Sequence, residues 1–353
     1  MIQKRWTVKE ETNNETVEKL STSLNIDKVL ARLLVQRDIL TFGDARDFFR
    51  PSLDNLHDPF LLKDMDIAIE RIRQAFEGNE RILIYGDYDV DGTTAVALAY
   101  DLLSEFHQNI DYYIPNRYTE GYGISMQSID YAEQSGVSLI ISLDCGIKAY
   151  EQIANARARG IDFIVIDHHR PGDEPLPAHA VVDPKQADCP YPYKELSGCG
   201  LGFKLAQAFY QKNRLPAEKL ERFLDLVVVS IAADVVPITG ENRVLAHFGL
   251  RQLNNNPRPG LESILFYSNI FKKGVPDESG VFTREIGISD LMFLIGPKIN
   301  AAGRIENGKK AVDLLLCEKM KETHELSLDI NDNNTERRSL DTEITRQAMK
   351  MIS

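Results

Sequence analysis

Between residues 81 and 184 the chain repeats one pattern: a short run that is apolar throughout, a break, then a segment with helical spacing. The runs are "RILIYGD", "IDYYIP", "VSLIISLD", "IDFIVIDHH" and "AHAVVDP"; the helical segments among them are "TTAVALAYDLLSEF", "SMQSIDYAEQSG" and "KAYEQIANARARG". A strand with one face in water alternates apolar and polar residues, whereas a run that is apolar at every position belongs to a sheet covered on both faces. The pattern therefore predicts an α/β fold, a parallel β-sheet flanked by helices. In such sheets ligands bind at the carboxyl ends of the strands.

The flanking sequence is helical. Residues 1–70 read as an N-terminal helical segment, with "TVEKLSTSLN" and "DKVLARLLVQRDIL" as short helices ahead of a Pro-interrupted connector. The α/β domain is expected over 71–255, although from Gly198 onward the pattern is helical. Residues 256–320 read as a helical and loop extension containing "NAAGR", and 321–353 as one long helix with a sparse apolar stripe at Leu340, Ile344 and Met351. That helix reaches Ser353 without a cap, which predicts that the natural chain continues.

With 353 residues and 43% hydrophobic content, the chain can bury a large core. Its 41 Lys and Arg against 53 Asp and Glu give a net charge of −12, which repels polyanions at long range. Nucleic-acid binding then requires bound cations and a local basic patch. Cys145, Cys189, Cys199 and Cys317 form no C-x-x-C pair, which argues against a zinc ribbon and suits reduced thiols. The N-terminus lacks the apolar core of a signal peptide and no apolar run reaches membrane-spanning length, so a cytoplasmic location is expected.

Three of the apolar runs end in acids. "ILIYGDYDVDG" carries Asp87, Asp89 and Asp91; "LIISLDCG" carries Asp144; "FIVIDHH" carries Asp167, His168 and His169. In a parallel sheet these side chains leave the same edge. A fourth segment, "LVVVSIAADVVP", ends in Asp234. Taken singly, Asp144 reads as a helix cap, the histidine pair as one packed and one solvated ring, and Cys145 as a packed thiol. Their coincidence on one edge is what favours a common site. Clustered carboxylates repel unless cations neutralise them, and oxygen ligands with imidazole suit Mn²⁺ or Mg²⁺. Several carboxylates can hold two such ions about 3.5–4 Å apart, an arrangement that cleaves phosphoesters. "DYDVDG" also opens an EF-hand loop, but that loop needs a Glu six residues past the glycine, where Leu98 stands, and a helix rather than a strand before it.

In order along the chain, "YGDYDVDGTTA", "IPNRYTEGYG", "SLDCGI", "DHH", "LSGCGLGFKLAQAF", "AADVVP" and "GPKINAAGRI" resemble the DHH phosphoesterase superfamily. Within it they resemble the RecJ branch, bacterial single-strand-specific 5′→3′ DNA exonucleases, over nearly the whole chain. The resemblance implies a DHH-type domain, two Mn²⁺ or Mg²⁺ ions, and a role in DNA repair and recombination on single-stranded DNA. Single-strand-binding protein or helicase partners are implied by the same route. As metal ligands it implies Asp89, Asp91, Asp144, His168, His169 and Asp234, with Asp167 as a supporting acid. Asp87 is either a direct ligand or a supporting acid, and the catalytic set is Asp87, Asp89, Asp91, Asp144, His168 and His169. The position four residues before the first liganding acid, a histidine in other branches, is Tyr85 here. Family members continue past the long helix into a second domain and an oligonucleotide-binding fold.

For substrate phosphates the basic and polar groups are Arg117, Arg170, Lys204, Asn300 and Arg304. "SGCGLGFK" places glycines before a helix, an anion site weighed evenly against helix packing. The glycine of "NAAGR" would let backbone approach a phosphate. The rival readings are another DHH activity, on cyclic dinucleotides, short oligoribonucleotides or pyrophosphate, and a non-catalytic scaffold, against which the intact acid and histidine set counts.

Overall fold

A computed structural model of the protein describes Thr7 and residues 13–277, 280–305 and 308–352. Contacts divide the chain into two compact units, residues 1–56 and 57–353. The smaller contains α1 (Asn14–Leu24), α2 (Lys28–Val35) and α3 (Phe42–Phe49). Each begins where a side chain can satisfy the free N–H groups of the first turn: Asn13 accepts from Glu15 and Thr16, Asp27 from Val29, and Thr41 and Asp44 form a reciprocal capping box. Val17, Leu20, Ala31, Leu34, Val35, Ile39 and Ala45 close a small core.

The larger unit is built on α4 (Met65–Glu77), β1 (Arg81–Gly86), α5 (Val90–Ser104), β2 (Ile110–Tyr113), α6 (Met126–Gln134), β3 (Val137–Leu143), α7 (Tyr150–Ala158), β4 (Asp162–Ile166) and β5 (Ala180–Val182). The strands form a five-stranded sheet in the order β2-β1-β3-β4-β5, with every pairing parallel. Successive strands step to opposite sides of β1, so a crevice opens outside the carboxyl ends of β1 and β3, the topological switch point. α6 and α7 cover one face, where Ile129 and Ile153 pack with Leu83, Tyr85, Ile140, Phe163 and Val165. On the other side α4 packs against β5, which places this helix, expected across the 70/71 boundary, within the larger unit. α5 packs on β1 and is surrounded by α8 (Gly198–Lys212), α9 (Leu224–Ala233) and α14 (Lys309–Leu316). A helix enclosed on nearly all sides has no need of a polar face, which is why "TTAVALA" has none.

Beyond α9 follow α10 (Gly240–Asn255), α11 (Pro259–Phe266), a one-turn α12 (Ile288–Asp290) that runs through a π-helical turn into α13 (Gly296–Ile305), then α14 and α15 (Met320–Ile352). This region was expected to be helix and loop. It also holds an antiparallel hairpin, β6 (Lys272–Asp277) and β7 (Gly280–Phe282). The sequence hides it because β6 is polar and contains Pro276, which breaks the alternation that marks a strand. No described helix is long and apolar enough to cross a membrane.

Candidate metal centre at the carboxyl edge of the sheet

The register of the sheet builds the site. Gly86 pairs with Leu143, Leu143 with Ile166, and Ile166 with Val182, so the four residues that follow form one row: Asp87, Asp144, Asp167 and Asp183. Hydrogen bonds carry the ladder one step further, from Asp144 N to Ile166 O (3.0 Å) and from Asp167 N to Val182 O (3.1 Å). Four aspartates thus stand side by side where the apolar strands stop.

Each acid is then treated differently. Asp87 is fully buried, and neither carboxylate oxygen has a hydrogen-bond partner; burial and the neighbouring Asp89 push its carboxyl up to about 7. Asp89 caps α5, accepting the N–H of Gly92 at 3.0 Å, yet burial still raises its pKa. Asp91 lies in the first turn of α5, against the start of α8. Its carboxylate accepts the N–H groups of Gly198 and Cys199, both at 2.7 Å, and the hydroxyl of Ser230 at 2.7 Å. Asp144 is in the left-handed region at φ 60°, and burial, together with Asp91 and Asp89, holds its carboxyl well above the usual range. Asp167 behaves oppositely. Although burial opposes it, the hydrogen bond from His169 and the N–H of Ile147 keep this carboxyl low.

The histidines close the cradle. His168 is buried, with Nε2 3.1 Å from Asp144 Oδ1 and 3.7 Å from both Asp91 Oδ2 and Asp234 Oδ2. Neither ring nitrogen of His168, nor Asp144 Oδ1, has a hydrogen-bond partner of good geometry. His169 places Nδ1 2.8 Å from Asp167 Oδ1, and that contact raises its pKa. Asp234 caps the C-terminal end of α9, where exposed carbonyls make an acid unfavourable; burial and Asp91 raise it to about 6.

Two sets of ligand atoms therefore lie within 4.8 Å of one another: Asp144, His168 and His169, and Asp91, His168 and Asp234. Asp89 stands beside Asp144. Buried lone pairs without donors, crowded acids with raised pKa values and imidazole, with no thiolate in either set, fit hard divalent cations such as Mn²⁺ or Mg²⁺. Cys145 and Cys199 are buried, which raises their pKa values and keeps them as thiols.

The basic groups expected at the rim divide. Arg117 and Arg170 are exposed. Arg117 lies over the Tyr88 ring at 5.3 Å, and Tyr122 meets Tyr88 and His169 edge-on at 6.3 and 6.5 Å. Asn300 is half-buried in α13, and the side chain of Arg304 lies outside the described residues. Lys204 is not at the site. It is fully buried, pairs with Glu241 at 2.6 Å and donates to His57 O at 3.0 Å, while Tyr191 donates to the same glutamate. The expected phosphate site at "SGCGLGFK" is corrected with it: the glycines lie inside α8, and its first free N–H groups are taken by Asp91 and the Ser197 hydroxyl. The close approach at Gly303 is likewise internal, since a Cβ there would lie 2.2 Å from Tyr88 O.

Asp183 was missed. It follows a fully apolar strand as Asp144 and Asp167 do, so the same signal was present; the brevity of "AHAVVDP" concealed it. It is fully buried with Oδ2 unpartnered, and burial raises it to about 7. Ser230, a polar residue in an apolar helix, and Glu120, in the polar stretch before α6, carried weaker signals.

Residues 81–231 match the profile of the DHH family, N-terminal domain. Over 348 residues, 99% of this chain, the sequence is 37% identical to the single-stranded-DNA-specific exonuclease RecJ of Bacillus subtilis (strain 168), of which it covers 42%. Among solved structures it is similar to an exonuclease RecJ bound to manganese, with 28% identity and a TM-score of 0.74 over 85% of this chain and 72% of the other. It is also similar to RecJ from Thermus thermophilus in complex with Mn²⁺, with 26% identity and a TM-score of 0.77 over 94% of this chain and 46% of that one. The chain spans about half the length of the curated relatives it matches.

Proposed function

We propose that this chain, whose residues 81–231 match the DHH family N-terminal domain and which is similar to the RecJ exonucleases, is the catalytic core of a metal-dependent phosphodiesterase, a single-stranded-DNA-specific exonuclease acting from the 5′ end in DNA repair and recombination. The observation that carries the reading is the convergence of Asp91, Asp144, His168, His169 and Asp234 on one crevice, in which Asp144 Oδ1 and both His168 ring nitrogens have no hydrogen-bond partner.

Mn²⁺ or Mg²⁺ held by these residues, with Asp89, would acidify a water and neutralise phosphate oxygens. The protein's part is orientation. Asp167 fixes the His169 ring through Nδ1, which leaves Nε2 as the nitrogen with a lone pair to offer a cation. The N–H groups at the start of α8 and the Ser230 hydroxyl fix Asp91. Burial and the neighbouring Asp89 push the Asp87 carboxyl up, and a cation held nearby would favour its ionised form. Arg117, Arg170, Asn300 and Arg304 are proposed to meet phosphates, and Tyr122 a base.

Hydrolysis of 5′-labelled single-stranded DNA, duplex DNA, short RNA and pyrophosphate by the protein in Mn²⁺, against EDTA controls, tests the proposal. Preference for any substrate but single-stranded DNA would favour another DHH activity, and absence of all four a scaffold. Single-strand-binding protein or helicase partners, and the cytoplasm as the compartment, belong to the same proposal; co-purification and fractionation test them.

A further inference from the structure

Asp234 is followed by a residue that does not suit its backbone. Six of the eight non-glycine residues at positive φ among the described residues are Asn or Asp, which tolerate the left-handed region; Val235, at φ 60°, is the β-branched one. It occupies the position after the α9 cap, where glycine commonly ends a helix without strain. Packing does not explain the valine, because the residue is 67% exposed. Helix termination does not explain it either, because glycine would do that better. Two local preferences thus fail at adjacent positions, an acid at the negative end of a helix and a branched residue in a left-handed turn, and the acid of the pair lies 3.7 Å from His168 Nε2. Strain that persists where neither packing nor chain reversal requires it points to a use for the side chain.

We propose that Val235 is a substrate-contacting residue of the candidate site, an apolar stop against the sugar and base of the nucleotide whose phosphate faces the acids and histidines. Val235 is exposed and directly follows Asp234, whose carboxylate lies 3.7 Å from His168 Nε2, so a branched apolar side chain adjoins the charged cluster along the chain. The apolar part of a nucleotide finds there a surface that loses water on contact. The inference rests on the functional reading above and deepens it.

Val235→Gly separates the possibilities, with Val235→Ile as the control that keeps both strain and apolar surface. The glycine variant is expected to raise Tm by about 2 °C in EDTA, since it removes the strained φ. Its Mn²⁺ affinity by calorimetry should stay within about twofold, and its affinity for a single-stranded oligonucleotide should fall about fivefold, as for one lost small apolar contact. Val235→Ile should match the unmodified protein in all three. A glycine variant that binds the oligonucleotide as tightly as the unmodified protein overturns the inference. Loss of Mn²⁺ affinity overturns it too, because Val235 would then act only by presenting Asp234, and so does a Tm that does not rise. If the unmodified protein itself binds no single-stranded DNA, the functional reading fails instead.

Discussion

Asp183 is a carboxyl group set into the end of an apolar strand, with one oxygen accepting the N–H of Lys185 at 2.6 Å and the other unpartnered. Its folded pKa is raised from 3.8 to about 7, so folding disfavours the ionised form. The stability it permits is complete below about pH 4 and is lost as pH rises towards 7. Asp183→Asn should therefore leave the denaturation midpoint near pH 4 unchanged and raise stability at pH 8 by up to about 4 kcal/mol, read by urea titration in EDTA. Equal effects at both pH values would count against a buried, mostly protonated acid. Asp144 and His168 make the opposite case, groups that need a cation. Saturating Mn²⁺ should stabilise the protein by about 2.7 kcal/mol at a hundredfold excess over Kd. The double variant Asp144→Ala and His168→Ala should lose that shift in a thermal melt. These residues were legible in sequence because an acid ending an apolar run is rare unless it has a partner. Lys204 misled for a related reason: a lysine after a glycine-rich turn reads as a phosphate ligand until a buried glutamate thirty-seven residues later claims it.

At the scale of elements, the start of α8 is the joint that sets the site. A Cβ on Gly198 would lie 2.6 Å from Asp144 Cβ, so Gly198→Ala must displace either the helix or the acid. It should cost about 1–3 kcal/mol in stability, by chemical denaturation, and weaken Mn²⁺ binding by calorimetry. The segment from Ile114 to Ser125 is organised differently, around Glu120. That carboxylate accepts the N–H of Asn116 (2.8 Å) and the hydroxyls of Tyr113 (3.0 Å) and Ser125 (2.7 Å), while Tyr85 donates to Gly123 O (2.8 Å). Glu120→Ala should free the stretch that presents Arg117 and Tyr122, raising KM for single-stranded DNA about tenfold while kcat changes less; Glu120→Gln, which keeps the acceptor, should restore it. Periodicity disclosed these helices and strands, but not the docking of α8 on Asp91, because pairing between groups more than a hundred residues apart leaves no local trace.

The whole molecule carries a net charge of −12, so any attraction for DNA comes from a few cationic groups and bound ions at one crevice. With about three phosphate contacts, the slope of log K against log salt for a single strand should be near −2. A slope near zero in a salt titration would argue against ionic contacts there. The α/β class and the shared edge were legible because continuous apolar strands admit few alternatives. The order β2-β1-β3-β4-β5 was not, since nothing in a strand names its neighbours. That order also bears on biosynthesis. Asp91 and Asp234, which share one set of ligand atoms, are separated by strands β2 to β5 and helices α5 to α9. No partial translation product ending before residue 234 can complete the cradle, so a nascent chain gathers its full set of ligand atoms only after all five strands have been made.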